Sequence, residues 1–166
     1  MTSTSKQSEQ FESLVTRHRA SLARVVATFE ANPALQQELH QEILLAIWQA
    51  LPKFRGDSGA HTFIYRVAYN QALIHVAKSS RTMAHEGIDD QLPSQLAGPE
   101  QQTTTDQSVS RLFGAVRKLP VLQRQLITLA LEGLSYKDIA EVTGLGLSNV
   151  GVQLNRIKTK LGKLLR

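Results

Sequence analysis

Apolar residues along this chain recur at helical spacing and never alternate. From Phe11 they fall at Leu14, Val15, Leu22, Val25, Val26 and Phe29, one face of a helix reaching about Ala31. Residues 1–8 ahead of it are polar and are expected to fray. Asn32-Pro33 punctuates the pattern, because asparagine caps a helix and proline suits its first turn. The next stripe is Leu35, Leu39, Ile43, Ala46, Ile47 and Ala50, and Pro52 stops it. After the basic, glycine-rich loop KFRGDSG, a third helix is expected from about His61 to Ser79, with Phe63, Ile64, Val67, Ala68, Ala72, Ile74 and Val76 mostly inward. No period of two occurs anywhere, so no sheet is expected.

The texture changes between Thr82 and Ser108, where Pro, Gly, Gln, Thr and Asp dominate and apolar periodicity disappears, the composition of a flexible linker. A helix starts near Ser108 with Val109, Leu112, Phe113 and Val116 inward, and Leu119-Pro120 breaks it. Another runs from Val121 to Glu132 and ends at Gly133. The stretch from Leu134 to Leu161 then reads as a short helix, a tight turn and a longer helix. Ser135 and Asp138 form a start signal, in which the serine oxygen accepts a first-turn N–H. Ala140 is small where the second helix crosses, Gly144 supplies the positive φ of the turn, and Ser148 is placed to cap the second helix. Val150, Leu154, Ile157 and Leu161 recur at 4, 3 and 4, an inward stripe, while Asn149, Val152, Gln153, Arg156 and Lys160 face out. This is a helix-turn-helix pattern, whose second helix enters the DNA major groove. The plainer reading is a helical hairpin with a solvated basic face.

The expected fold class is therefore all-α: two small helical domains, residues 9–81 and 108–166, joined by a flexible acidic linker at 82–107, the C-terminal domain a helix-turn-helix. Charge sharpens this division. The net charge of +5 conceals nine Lys/Arg against six Asp/Glu in residues 1–81, none against five in 82–110, and ten against three in 111–166. Two basic ends flank an acidic middle, which points to a polyanionic partner for the ends. The absence of cysteine excludes disulfides and thiolate metal or redox chemistry. No run has the length of a membrane span and the N-terminus lacks an apolar signal core, so a cytoplasmic protein without membrane insertion is expected. His18, His40, His61, His75 and His85 are scattered without metal-ligand spacing, and no phosphate-binding glycine loop is present. No cofactor, metal or catalytic residue is expected, and an enzyme is the weakest class.

The two blocks together resemble a bacterial RNA polymerase sigma factor of the sigma-70 family, extracytoplasmic-function type. The resemblance lies in Glu38-Leu39-His40-Gln41-Glu42 through Trp48, continuing into Leu51-Pro52-Lys53-Phe54-Arg55-Gly56. It extends over Phe63-Ile64-Tyr65-Arg66-Val67-Ala68-Tyr69-Asn70, then over Leu119-Pro120 with Arg124 and Gly133 to Ala140. It implies a subunit that binds core RNA polymerase and directs promoter-specific initiation. It further implies polymerase contacts at Glu38, Leu39, Gln41, Glu42, Leu45 and Trp48. On the promoter −10 element it implies Arg66, Asn70, Lys78 and Arg81; on the −35 element Lys137, Ser148, Asn149, Gln153, Arg156 and Lys160. The linker would run near the RNA exit path. Where the family often has Thr, Lys and Arg in the recognition helix, this chain has Asn149, Gly151 and Gln153; the two amides suit adenine edges. Gly151 weakens that helix by roughly 1 kcal/mol relative to alanine and permits close approach.

A second departure concerns regulation. The family commonly carries acids ahead of the polymerase-binding block, yet here Asn32 to Glu38 offers glutamines. An added phosphate could restore negative charge, and Thr62, in the expected first turn of the third helix with Lys53 and Arg55 in the preceding loop, is the candidate. A Ser/Thr kinase or an anti-sigma factor is the implied regulatory partner. The rival functional classes are a helix-turn-helix regulator acting without being a polymerase subunit, and a protein-only binding module. A regulator binds duplex DNA alone, whereas a sigma factor needs core polymerase.

Overall fold

The computed structural model describes residues 2–56, 59–86 and 104–166, and among these every regular element is helical. The first is α1 (Thr2–Arg17), followed by α2 (Arg19–Phe29) and α3 (Pro33–Ala50). A short 3-10 turn (Leu51–Lys53) leads to α4 (Ala60–Glu86). The C-terminal lobe comprises α5 (Thr104–Arg117), α6 (Val121–Leu131), α7 (Tyr136–Thr143) and α8 (Leu147–Leu164).

The local signals act as their chemistry dictates. Asn32 Oδ1 accepts the N–H groups of Ala34 and Leu35, with Pro33 in the first turn of α3. The α3 stripe of Leu39, Ile43 and Ile47 is fully buried and packs mainly on α4, whose Ile64, Ala68 and Ala72 have no exposed surface. Burying each large aliphatic side chain contributes about 1.5–3 kcal/mol before entropic costs. In the C-terminal lobe the α8 stripe of Val150, Leu154, Ile157 and Leu161 is buried, and α8 packs on α6 and α7.

Several boundaries differ from the sequence expectation. The first helix starts at Thr2 rather than near Phe11: Gln7 Nε2 donates to the Trp48 carbonyl at 2.9 Å and Phe11 meets Trp48 edge to face at 5.4 Å, so tertiary contacts hold the polar start. What read as one helix to Ala31 is broken at His18, whose backbone leaves the helical region (φ −108°, ψ 16°) while its ring nitrogen lies 2.9 Å from the Leu14 carbonyl. Helix α4 continues past Ser79, because Ser-Ser-Arg-Thr-Met-Ala-His-Glu contains no glycine or proline to stop it. Helix α5 likewise begins at Thr104. The expected linker is therefore helical at both margins, and residues 87–103, with the expected passage near exiting RNA, lie outside the described residues.

The two lobes form one continuous buried cluster, with α2 against α5 and α6, and α4 against α7. The junction also carries polar contacts between residues far apart in sequence, which apolar periodicity does not anticipate.

Candidate nucleic-acid interface

The helix-turn-helix is assembled from local chemistry. Ser135 Oγ accepts the Asp138 N–H at 3.1 Å, starting α7, and Gly144 ends it at φ 79°, a conformation in which a Cβ would be strained. Gly146, not Ser148, is the cap residue of α8. Ser148 lies inside the first turn with its side chain exposed, because the helix begins two residues earlier than the serine signal suggests. Asn149, Arg156 and Lys160 are exposed and Gln153 is half-buried. Their 4-3-4 spacing puts all four on one stripe, one residue behind the buried one and so about 100° round the helix from it. Lys137 is exposed on α7. Gly151 faces the Tyr136 ring; a Cβ there would meet it at 3.5 Å, ordinary van der Waals contact. The close approach expected at this glycine is thus one that alanine also tolerates.

The second surface belongs to α4 and the loop before it. Ala50, Lys53, Phe54, Arg55, Phe63, Arg66, Val67 and Asn70 line a cavity of about 340 Å³. Phe54 and Phe63 stack at 4.5 Å within it. Lys53, Arg55 and Arg66 supply cations and Asn70 an exposed amide. Phe63 is buried, so the half-buried Phe54 is the ring this cavity offers, and an aromatic ring beside cations and an amide is the chemistry that an unstacked base and its phosphates call for. Arg81 and Lys78 are also exposed on α4. At about 100° per residue, Arg81 falls within about 20° of Asn70 and Lys78 about 80° round the helix. Sequence reasoning selected Arg66 and Asn70 but missed Lys53, Phe54, Arg55 and Phe63 as partners in one cavity. The alternation of cation and aromatic in Lys-Phe-Arg was the available signal.

On α3, Glu38, Gln41 and Leu45 are exposed, with Leu45 at 57%. Glu42 is half-buried, its carboxylate 4.0 Å from His75 Nδ1, and Trp48 is half-buried beneath α1. Leu39 has 0% exposure and belongs to the core; the expectation that it contacts the polymerase is corrected, because it has no surface to offer. Thr62 lies in the first turn of α4 as expected, but it is only 2% exposed. Facing the start of α4 are acids of α7. Asp138 Oδ2 is 3.5 Å from His61 Nε2, and Glu141 Oε1 is 3.8 Å from Arg66 Nη2.

The centre of the junction is Glu132, at the end of α6. Its carboxylate accepts from Arg24 Nε and, at 2.7 Å, from Arg24 Nη2; Ser21 Oγ and Tyr65 Oη each donate to Oε2 at 3.0 Å. Burial would push the Glu132 pKa up, yet the hydrogen bonds from Arg24, Tyr65 and Ser21 outweigh it and hold the group below its ordinary value. Burial pushes the Tyr65 hydroxyl up to about 12, so it remains a donor.

Comparison with known proteins fits this geometry. The family described as Sigma-70 region 2 matches residues 14–82, and that described as Sigma-70, region 4 matches residues 111–161. The RNA polymerase sigma-H factor of Pseudomonas aeruginosa is 26% identical, over 94% of this chain and 86% of its own. The ECF RNA polymerase sigma-E factor of Escherichia coli is 27% identical, over 89% of this chain and 82% of its own. Among solved structures, the sigma factor RpoE of Bartonella quintana, in complex with the anti-sigma factor NepR, superposes with a TM-score of 0.77 at 18% identity, covering 95% of this chain and 97% of that one. CnrH, in complex with the cytosolic domain of CnrY, gives 0.66 at 23% identity, covering 95% and 88%. With both sigma-70 regions matched in order, on the lobes that carry the cavity and the helix-turn-helix, the chain belongs to the sigma-70 family of RNA polymerase sigma factors, of the extracytoplasmic-function type.

Proposed function

We propose that this protein is a dissociable, non-enzymatic initiation subunit that docks on core RNA polymerase in the cytoplasm and reads promoters at two elements. The observation that carries this reading is the pairing of two unlike DNA surfaces: an aromatic, cation-rimmed cavity on α4 and an exposed amide-and-cation stripe on α8. The cavity suits a base extruded from the −10 element, with Asn70 reading it and Arg66, Lys78 and Arg81 on phosphates. The α8 stripe suits duplex DNA at −35, with Asn149 and Gln153 on base edges and Lys137, Ser148, Arg156 and Lys160 on the backbone. Glu38, Gln41, Glu42, Leu45 and Trp48 form the polymerase-facing set. Both curated relatives are named as polymerase sigma factors, and no described helix is long and apolar enough to cross a membrane. The test is run-off transcription with core polymerase on genomic promoters. Initiation that needs the chain, fails at opening in Asn70→Ala and fails at −35 in Gln153→Ala supports the assignment; unchanged initiation in both variants rejects it. A regulator acting on duplex DNA alone is less well supported, because it has no use for a region 2 lobe.

For control, an anti-sigma protein is the reading to which the RpoE–NepR and CnrH–CnrY complexes lend support. Phosphorylation of Thr62 by a Ser/Thr kinase would supply the charge missing from Asn32 to Glu38, but Thr62 is buried, so a kinase reaches it only after the structure around the start of α4 opens. Comparing Thr62→Ala with Thr62→Glu for core binding and for transcription in cells decides this point. An alanine variant as active as the parent under inducing conditions removes the kinase from the account.

A further inference from the structure

The α8 stripe assigned above to the −35 element lies beside the buried stripe. A second line of the same spacing, Ser148, Val152, Asn155 and Thr159, lies about 160° round the helix from the buried one and so faces most directly away from the core. All four residues are exposed, Val152 to 49%. No charge stands on this line. Arg156 and Lys160 flank it at about 70° and 110° on one side, and Lys158 at about 90° on the other. Helix α8 contains no aspartate or glutamate, so nothing within it neutralises these cations. An uncharged line between two rows of cations is the arrangement a DNA groove calls for, since phosphates form the walls of the groove and base edges its floor. A lone exposed valine elsewhere on the surface needs no explanation. Here it stands at the middle of the line that a groove would receive.

We propose that Val152 and Asn155 are base-reading residues of the −35 contact, Val152 packing on a thymine methyl group and Asn155 pairing with an adenine edge, so that this chain selects neighbouring A·T pairs there. The thymine C5-methyl is the apolar feature of the major-groove floor, and the valine side chain has no donor or acceptor with which to read anything else. A side-chain amide matches the adenine N6 donor and N7 acceptor together. Along the helix axis Val152 and Asn155 are about 4.5 Å apart, close to the roughly 3.4 Å between bases of one strand, which sets the two contacts on adjacent pairs. Both residues lie in the N-terminal half of α8, the half that reaches base edges in a helix-turn-helix. Thr159, one turn further on, donates its hydroxyl to the Asn155 carbonyl at 3.1 Å, so that group is already engaged. Asn149 and Gln153 then border the reading line on the Arg156 side. This assignment deepens the −35 reading of α8 and rests on it.

The experiment uses the full chain with core polymerase on a promoter library randomised over the −35 element, read by sequencing the run-off transcripts. The parent should enrich an adjacent thymine and adenine. On the best library member, uracil in place of that thymine removes the methyl group alone and should lower initiation about fourfold, the effect of one buried methyl. Val152→Ala should initiate equally on the thymine and uracil templates, while Val152→Thr, which keeps a methyl group, should still discriminate. An adenine analogue with carbon in place of N7 should lower initiation by the parent roughly fivefold, the effect of one lost hydrogen bond, and initiation by Asn155→Ala no further. Uracil that has no effect at any position, or an effect undiminished in Val152→Ala, overturns the valine assignment. An analogue effect that persists in Asn155→Ala overturns the asparagine assignment. A parent that initiates at no library member strikes instead at the sigma-factor reading. The same random duplexes are then selected on the full chain alone, where enrichment of the thymine–adenine pair that both alanine variants lose upholds the α8 assignment, and its absence overturns it.

Discussion

The two surfaces proposed to face DNA are built in opposite ways. The α8 surface comes from one helix: four side chains at 4-3-4 spacing, set beside a buried stripe of the same spacing that anchors the helix. Among the described residues no carboxylate pairs with Arg156 or Lys160, so that face is ready as it stands. The α4 surface is composite. Its cavity needs the Lys53–Arg55 loop, the Phe54–Phe63 stack and the Arg66–Asn70 turn together, and its principal arginine is already engaged by another lobe. A local surface binds whenever the helix is folded; a composite surface can be gated by whatever packs beside it.

The sharpest way to break this comparison is to remove the platform beneath one surface. Leu154→Ala leaves a cavity behind α8, and the expected loss is about 2–5 kcal/mol by thermal or urea unfolding. The −35 footprint should vanish while single-stranded −10 DNA binding survives. Next in size is Asn70→Ala. Removing a base-reading amide should cost about 1–3 kcal/mol, seen as roughly tenfold weaker promoter opening by permanganate footprinting with the −35 contact intact. A loss of both footprints together would show that the two surfaces are not separable.

Acid should separate them by another route. Glu132 has a folded pKa below its ordinary 4.5, so its contribution to the junction is complete above that value and is lost as pH falls below it. Acid unfolding should therefore show a loss of stability as pH falls below that value, read by circular dichroism, and Glu132→Gln should flatten that dependence. Smaller still is Lys160→Ala, which should weaken duplex binding uniformly across sequences and reduce the salt slope by about 1. The smallest effect belongs to Gly151→Ala. The Tyr136 ring leaves ordinary van der Waals room for the methyl group, so the helix should gain up to about 1 kcal/mol, a rise of a few degrees in Tm.

This same contrast governs how much could be read from the chain. The helix-turn-helix was legible because Ser135, Gly144 and the α8 stripe each act within a few residues of themselves. Asn32 capping α3 was legible for the same reason. Ser148 misled because it sits two residues past Gly146, the actual cap, and propensity fixes a helix boundary only to within one or two residues. Leu39 was placed on the polymerase side by resemblance alone, although its own spacing from Ile43 and Ile47 marks the buried stripe. The α4 cavity was half legible: Arg66 and Asn70 share a turn, but nothing near them announces Phe54. The lobe junction was not legible, since a polar contact between residues more than one hundred positions apart leaves no periodic trace.

The packing of α1 on α3 carries an experimental consequence. Trp48 is the chain's only tryptophan, and it stands in the set proposed to face the polymerase, with Phe11 edge-on against it and Gln7 tied to its carbonyl. Its emission therefore reports on the setting of one indole shared between the first helix and whatever docks on α3. The protein brings its own optical probe to that surface, and both the departure of α1 and the arrival of a partner register there without a dye.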